Sequence, residues 1–122
     1  MSASMTMKEP SVVKEDFNNY LKLLRRKMTS DREILLNFVH QTELWRFIHS
    51  SEFKLYESTD PHYQSLKQPT FADLRGIFGG TVPEGHEVHR IIPRRYGGPN
   101  ESWNLMPLTR NDHHELRNWF KK

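Results

Sequence analysis

Two histidines in the last third of the chain, His89 and His113, are of the residue type that binds divalent metals and exchanges protons near neutral pH. His89 lies in a β-branched run from Glu87 to Ile92, and His113 follows a second apolar run in a stretch with helical spacing. In chain order these residues predict a strand, a loop, a second strand and a helix, which would bring the two imidazole rings together. A unit of this kind would hold one metal ion.

Seven of the 18 cationic side chains lie in the same third of the chain. They are Arg90, Arg94, Arg95, Arg110, Arg117, Lys121 and Lys122. The whole sequence carries a formal charge of +3 and a pI near 9.3, which suits a polyanionic partner, although a small basic excess is common. The placement of the charges beside the histidines is the more informative observation, and it favours a nucleic-acid partner.

Residues 85–120 resemble the HNH, or ββα-metal, nuclease superfamily, which includes colicin-type DNases and many bacterial toxin tips. The pattern of that family is a pair of residues four and three positions before a proline, then Gly-Gly, an asparagine before leucine, and a histidine on the following helix. In those places this sequence has His89-Arg90 before Pro93, Gly97-Gly98, Asn104-Leu105 and His113. The segment from Trp103 to Leu108 and the pair Trp119-Phe120 are similar to toxin-type members.

The resemblance implies a metal-dependent endonuclease that hydrolyses phosphodiester bonds, with DNA preferred to RNA and a use as a toxin or effector domain. It implies a cofactor of Mg²⁺, Mn²⁺ or Zn²⁺ bound by His89 and His113, with water and phosphate completing the coordination. The residues that it assigns to catalysis are His89, Arg90, Asn104 and His113. The residues that it assigns to nucleic-acid binding are Arg90, Arg94, Arg95 and Arg117. An inhibitory or immunity protein would be a further partner.

Arg90 departs from the family pattern, because members usually carry the general-base histidine at that position. A guanidinium with a pKa above about 12 cannot accept a proton at pH 7. Arg90 would then clamp the scissile phosphate while His86 or Glu87 acts as the base, or His89 would be the base itself, or the site is inactive. An inactive site predicts an HNH-fold module that binds nucleic acid or protein. A purely structural or inhibitory partner protein is a third class.

The helix of His113 lacks the third ligand that related nucleases often carry four residues later. This chain has Arg117 there, a side chain that cannot bind a cation. His114 lies about 100° further round the helix and should point elsewhere. Asn104 matches the family residue that braces the loop between the strands and so aims His89. Without the surrounding pattern, Asn104 would equally be interpreted as an Asx turn.

Upstream of the ββα unit, residues 13–80 predict a helical scaffold. Apolar residues step by three and four along a first helix, and they are Val13, Phe17, Tyr20, Leu21, Leu24 and Met28. A capping box of Ser30 and Glu33 starts a second helical stretch, for which one bent helix or two remain alternatives. Its apolar residues are Ile34, Leu35, Phe38, Val39, Leu44, Trp45, Phe47 and Ile48.

Further along, Pro69-Thr70 with Asp73 predicts a short helix to Phe78 that Gly79-Gly80 ends. The first strand should span residues 86–92, the loop 96–102 and the second strand 103–108. A final helix should begin at the cap formed by Thr109 and Asp112 and run to residue 120.

With 122 residues, of which 35% are hydrophobic and 27% charged, the chain has the composition of one globular domain. The predicted class is α+β, with a mobile tail at 1–12, a helical part at 13–80 and the ββα unit at 83–122. Cysteine is absent, which excludes disulfides and cysteine-bound zinc. No apolar run is long enough to span a membrane, and residues 1–11 lack the apolar core of a signal peptide. The expected site of action is the cytoplasm, with delivery to another cell left to a separate export system.

Overall fold

The first helix supplies the largest share of the core in the computed structural model, which describes residues 6–70, 73 and 84–122. This helix, α1, spans Pro10–Arg26 and has its proline in the first turn, where a missing N–H costs nothing. The residues that step along one face of α1 are buried, as predicted: Val13, Phe17, Tyr20, Leu21 and Leu24, followed by Met28. The buried face of α1 packs against core residues of the second helix, the strand region and the last helix.

Of the segment 1–12 expected to be a mobile tail, residues 1–5 lie outside the described residues, and residues 6–12 take part in backbone bonds or in α1. Pro10 already begins α1, and the Lys8 amide donates to the Phe120 carbonyl at 2.8 Å. Lys122 donates in turn to the Thr6 carbonyl at 3.1 Å, and Met7 forms an isolated β-bridge with Lys121. Residues 6–9 are therefore fastened to the end of the chain by backbone bonds, which composition alone does not reveal.

The second helix, α2, is continuous from Asp31 to Ile48, so the one-helix alternative is correct. Ser30 caps it, with its hydroxyl accepting from the Glu33 amide at 3.1 Å. Its two halves differ in burial. The buried residues of the apolar set are Leu44, Phe47 and Ile48, whereas Ile34, Leu35, Phe38 and Val39 are exposed. Only the C-terminal half packs into the core, where the Phe47 ring lies 5.7 Å from the Trp103 ring.

Between α2 and residue 70 the chain is mostly irregular. A short helix, α3, spans Pro61–Ser65, and the Asp60 carboxylate accepts from the His62 amide at 2.8 Å at its start. Thr70 donates its amide to the Asp73 carboxylate at 2.7 Å, which is the contact expected of a helix start. The rest of the helix predicted to residue 78, and the Gly-Gly pair expected to end it, lie outside the described residues.

Two short antiparallel strands carry the candidate site. Strand β1 spans His86–Arg90 and strand β2 spans Leu105–Thr109, with His89 paired to Met106 and Arg90 to Leu105. Both strands are shorter than predicted. Ser102–Asn104 forms a 3₁₀ turn, and both backbone groups of Ile92 bond to the Asn104 side chain.

The last helix, α4, spans Arg110–Trp119 and is capped by Thr109, whose hydroxyl accepts from the Asp112 amide at 3.3 Å. Leu116 and Phe120 are fully buried, and the Phe120 ring packs 4.7 Å from Tyr20 of α1. Helices and a two-stranded antiparallel sheet confirm the α+β class. Within the described part of the chain, no helix is both long and apolar enough to cross a membrane.

Candidate functional site

Asn104 holds the connection between the two strands in place. Its Oδ1 accepts from the Ile92 amide at 2.7 Å, and its Nδ2 donates to the carbonyls of Ile92 and Pro99, both at 3.0 Å. The side chain is fully buried, so its removal would leave buried backbone groups without partners. These bonds reach across the loop to the end of β1, which is the bracing geometry expected from the sequence and extends beyond a local Asx turn.

The Gly-Gly pair is required by this loop. A Cβ added at Gly98 would overlap the Ile92 carbonyl and would lie 2.9 Å from Asn104 Nδ2. Gly97 has a φ of +83°, a conformation that residues with a side chain rarely adopt. The backbone of the loop can approach the Asn104 side chain this closely only because Gly98 carries no Cβ.

His89 is one of three buried polar residues in the part of the chain that the structure describes, with 1% of its surface exposed. Its Nε2 lies 3.2 Å from the Tyr20 hydroxyl, which also donates to the Ile91 carbonyl at 2.6 Å. Its Nδ1 is buried and has no hydrogen-bond partner among the described residues. A buried, unpartnered nitrogen is unusual in a folded protein and calls for a functional or ligand explanation.

His113 faces His89 from α4, with the two rings 5.0 Å apart and nearly perpendicular. Its Nδ1 lies 3.0 Å from a carboxylate oxygen of Glu87, which sits two residues before His89 on β1. This hydrogen bond is the main reason that the pKa of Glu87 is lower than usual. A carboxylate bonded to one nitrogen of a histidine fixes the ring orientation and leaves Nε2 as the nitrogen available to a ligand.

The protonation of His89 follows from its surroundings. Burial, reinforced by the nearby His113 and by the guanidinium of Arg117, holds the pKa of His89 well below its usual range. The imidazole is therefore neutral at pH 7. Only a neutral imidazole can accept a proton or bind a metal ion.

The donor set fits a metal held by two imidazoles. Across the ranges 6–70 and 84–122 with residue 73, no three His, Asp or Glu side chains converge to form a metal site. The unpartnered Nδ1 of His89 and the carboxylate-oriented ring of His113 are nevertheless what a two-histidine site requires. The remaining ligands would come from water and phosphate.

Arg90 faces a different environment from the adjacent His89. Its Nε donates to Asn100 Oδ1 at 2.9 Å, and one terminal nitrogen donates to the Lys67 carbonyl. Asn100 donates to that same carbonyl at 2.8 Å. Arg90 therefore ties the segment around Lys67 to the loop, and much of its donor capacity is already used.

Arg94 and Arg95 hold the same upstream segment. Their Nε atoms donate to the carbonyls of Tyr63 at 2.9 Å and Tyr56 at 2.6 Å, respectively. The Arg94 guanidinium also lies 4.0 Å from the centre of the Tyr63 ring. Each of these two arginines uses Nε in this way, so its terminal nitrogens remain the groups that can meet an anion.

A cleft of about 430 Å³ opens beside the histidine pair and brings the predicted site residues together. Its lining includes His89, Arg90, Arg94, Arg95, His113, Arg117 and Lys121. Asn104 does not line the cleft; its side chain bonds to the backbone of the loop between the strands. His86 contacts the Glu84 carbonyl at 3.0 Å, and His114 is exposed to solvent, so neither belongs to the histidine pair.

Sequence reasoning did not assign Tyr20 to the site, and it considered Glu87 only as a base. Tyr20 was predicted as a core residue of α1, and no local pattern marks its hydroxyl as a partner of His89. Glu87 shares the alternating face of β1 with His89, a spacing that predicts proximity to the helix carrying His113. That signal was present, although the sequence does not say which group the carboxylate meets.

Comparison with known proteins adds a short match. No family model matches the chain, and no solved structure is significantly similar to it. Over 32 residues the chain is 56% identical to an uncharacterized 38.5 kDa protein in psbA intron 1 of Chlamydomonas moewusii. That match covers 26% of this chain and 9% of the other protein, whose description states no activity. The function therefore has to be argued from the geometry of the site.

Proposed function

We propose that the chain is a metal-dependent endonuclease of the HNH kind, which hydrolyses phosphodiester bonds and prefers DNA to RNA. The observation that carries the proposal is the pair His89 and His113, oriented by separate partners at the mouth of a cationic cleft. A phosphodiester is an anion, so this cleft offers both charge complementarity and a place for a metal. The resemblance of residues 85–120 to the HNH superfamily points the same way.

The metal would be held by His89 and His113 and would supply a Lewis acid for the phosphate and the leaving oxygen. The chain's own groups have complementary tasks. Terminal nitrogens of Arg94, Arg95 and Arg117 would neutralise the phosphate backbone at the cleft. Asn104 would keep the loop, and with it the end of β1, in register.

The lone pair of His89 Nδ1 has two uses that fit the geometry, as a metal ligand or as the base that deprotonates water. Of the alternatives considered for Arg90, a base at Glu87 or His86 is disfavoured, because Glu87 bonds to His113 and His86 contacts a backbone carbonyl. The variant His89→Ala separates the two uses. Loss of metal affinity identifies a ligand, whereas loss of cleavage with metal affinity retained identifies a base.

The proposal is tested by incubating the purified chain with supercoiled plasmid or with RNA, in Mg²⁺, Mn²⁺, Zn²⁺ or a chelator. We expect nicking or linearisation of the plasmid that needs metal and that His113→Ala abolishes. His114→Ala is the matched control, since this histidine is exposed on the same helix and should leave cleavage unchanged. Cleavage that persists in the chelator, or equally in both variants, contradicts the proposal.

A second candidate is a non-catalytic module that binds nucleic acid on an HNH-like fold. It is favoured by Arg90 at the usual base position and by the lack of a three-ligand cluster among the described residues. The variant Arg90→His distinguishes the two candidates. A decayed enzyme should gain metal-dependent cleavage, since general-base catalysis contributes about 10² to 10⁴ in rate. An active enzyme should gain nothing and should lose the tie between the loop and Lys67.

Use as a toxin or effector, an inhibitory or immunity protein, and a cytoplasmic site of action stay predictions from the resemblance. They depend on the nuclease activity, so the plasmid assay comes before any search for a partner.

A further inference from the structure

The hydroxyl of Tyr20 contacts both His89 of the candidate site and the backbone carbonyl two residues further along the chain. Tyr20 is fully buried in α1, and its hydroxyl oxygen lies 2.6 Å from the Ile91 carbonyl and 3.2 Å from His89 Nε2. The two contacts come from one oxygen that carries one proton. Their roles can therefore be assigned by counting protons.

The carbonyl of Ile91 can only accept, so an O–H proton must lie between it and the tyrosine oxygen. Two oxygens at 2.6 Å without a proton between them would repel each other. The tyrosine then has no proton left for His89, and its lone pair must accept one from Nε2. The same count makes Nε2 the protonated nitrogen of His89 and Nδ1 the bare one.

We propose that Tyr20 is a positioning residue that selects the Nε2–H tautomer of His89 and thereby presents Nδ1 as the lone pair of the site. Nδ1 is the nitrogen that has no partner among the described residues, which agrees with this assignment. The tautomer itself follows from the hydrogen bonds alone. The further consequence, that Nδ1 binds metal or accepts a proton, rests on the proposed function.

The effect of Tyr20 on the His89 tautomer can be measured without an activity assay, because each tautomer has its own NMR signature. The ¹⁵N chemical shifts of the two ring nitrogens report which one carries the proton. They would be recorded by two-bond ¹H–¹⁵N correlation on the labelled full chain, without metal or nucleic acid, at a pH where histidines are neutral. In the unmodified chain we expect a single Nε2–H tautomer at His89, and a protonated Nδ1 would overturn the proposal without any substitution.

The variant Tyr20→Phe removes the hydroxyl and keeps the ring. We expect the His89 signals to move from a single tautomer to a mixture, with the Nε2 proton exchanging faster with water. Tyr96→Phe is the matched control, because Tyr96 is also fully buried and its hydroxyl donates to a backbone carbonyl, that of Lys8, at 2.7 Å. The control should lose a comparable hydrogen bond and leave the His89 tautomer unchanged.

Unchanged His89 shifts in Tyr20→Phe, or an equal change in both variants, would show that Tyr20 is only a core residue. Titration of the unmodified chain with Zn²⁺ then tests the functional consequence. A shift of the Nδ1 signal of His89 supports Nδ1 as the ligand atom, whereas a shift that moves the proton off Nε2 contradicts the role of Tyr20. Absence of any effect of Zn²⁺ counts against the metal site and leaves the tautomer result standing.

Discussion

The imidazoles of the cleft and the guanidinium of Arg90 are held in different ways. His89 and His113 are each fixed through one ring nitrogen, by Tyr20 and Glu87, and no described residue bonds to the second nitrogen. Arg94 and Arg95 are fixed through Nε and keep their terminal nitrogens for an anion, whereas Arg90 also uses a terminal nitrogen. Arg90 donates through two nitrogens to the loop and to the upstream segment, although it follows His89 directly on the strand. Residue type and position near a motif therefore do not reveal which charged groups remain available.

The largest effect should come from the histidine side of this comparison. His113→Ala should lower metal-dependent cleavage by at least about 100-fold, since even partners of metal ligands contribute 10- to 100-fold. The fold should persist, because α4 is held by Leu116 and Phe120 in the core. Rates of plasmid cleavage and thermal unfolding, compared with His114→Ala, are the measurements. A variant with full activity would remove His113 from the site.

Substitution of Arg90 should change the stability of the fold. Arg90→Ala should lower the free energy of unfolding by about 1.5 kcal/mol, the low end for hydrogen bonds to a charged group, since the side chain is only half-buried. Hydrogen exchange at residues 66–70 should rise, because their tie to the loop is lost. Chemical unfolding and exchange mass spectrometry measure both. If stability is unchanged and only nucleic-acid affinity falls, then Arg90 is a phosphate contact after all.

The lowered pKa of His89 predicts that folding stability depends on pH. Above pH 6.5 the imidazole is neutral in the folded and unfolded chains, so it adds no pH dependence. Below pH 6.5 the unfolded chain takes up a proton that the folded chain resists, and folding stability falls by up to about 1.4 kcal/mol per pH unit until the lower folded pKa is reached.

Urea unfolding of the chain and of His89→Gln between pH 7 and pH 5, with chelator present, measures that difference in slope. Parallel curves for the two proteins would mean that His89 is as easily protonated in the fold as in the unfolded chain.

The smallest effect is expected at Arg117, an exposed residue of α4 that lines the cleft. If it contacts one phosphate, Arg117→Ala should reduce the slope of log K against log salt by about 0.9 for duplex DNA. Arg46→Ala is the matched control, because Arg46 is exposed on α2 and paired with Glu43 at 2.6 Å. Equal slopes in the two variants would place Arg117 outside the nucleic-acid contact.

Local pattern carried much of the fold. The three-and-four spacing around Phe17 and Leu24 predicted the buried face of α1, and Thr109 predicted the start of α4. The approach of His89 to His113 also followed from order and spacing. These features depend on residues within a few positions of each other, or on the fixed succession of strand, loop, strand and helix.

Tertiary contacts decided what the pattern missed. The second strand begins at Leu105 because the Asn104 amide donates to the Glu101 carbonyl in the 3₁₀ turn. The Ile91 carbonyl that this amide would meet in a longer ladder accepts from Tyr20. The apolar residues of α2 predicted its helicity, yet Phe38 is 73% exposed, since helical spacing does not state where the core ends. The hydrogen bond from Arg90 to the Lys67 carbonyl could not be predicted, because a backbone carbonyl is the same group at every position of a sequence.

The bonds from Tyr20 to His89 and Ile91 join residues that are 69 and 71 positions apart in the chain. Contacts of such separation must close a long loop, which slows their formation relative to a local hairpin. A hairpin such as β1–β2 can pair on the microsecond scale, of order 1 to 10 μs, before α1 is in place. During refolding, the strands should therefore appear early, whereas the single tautomer of His89 should appear only with the final docking of α1. The appearance of a single His89 tautomer would thus report the completion of folding.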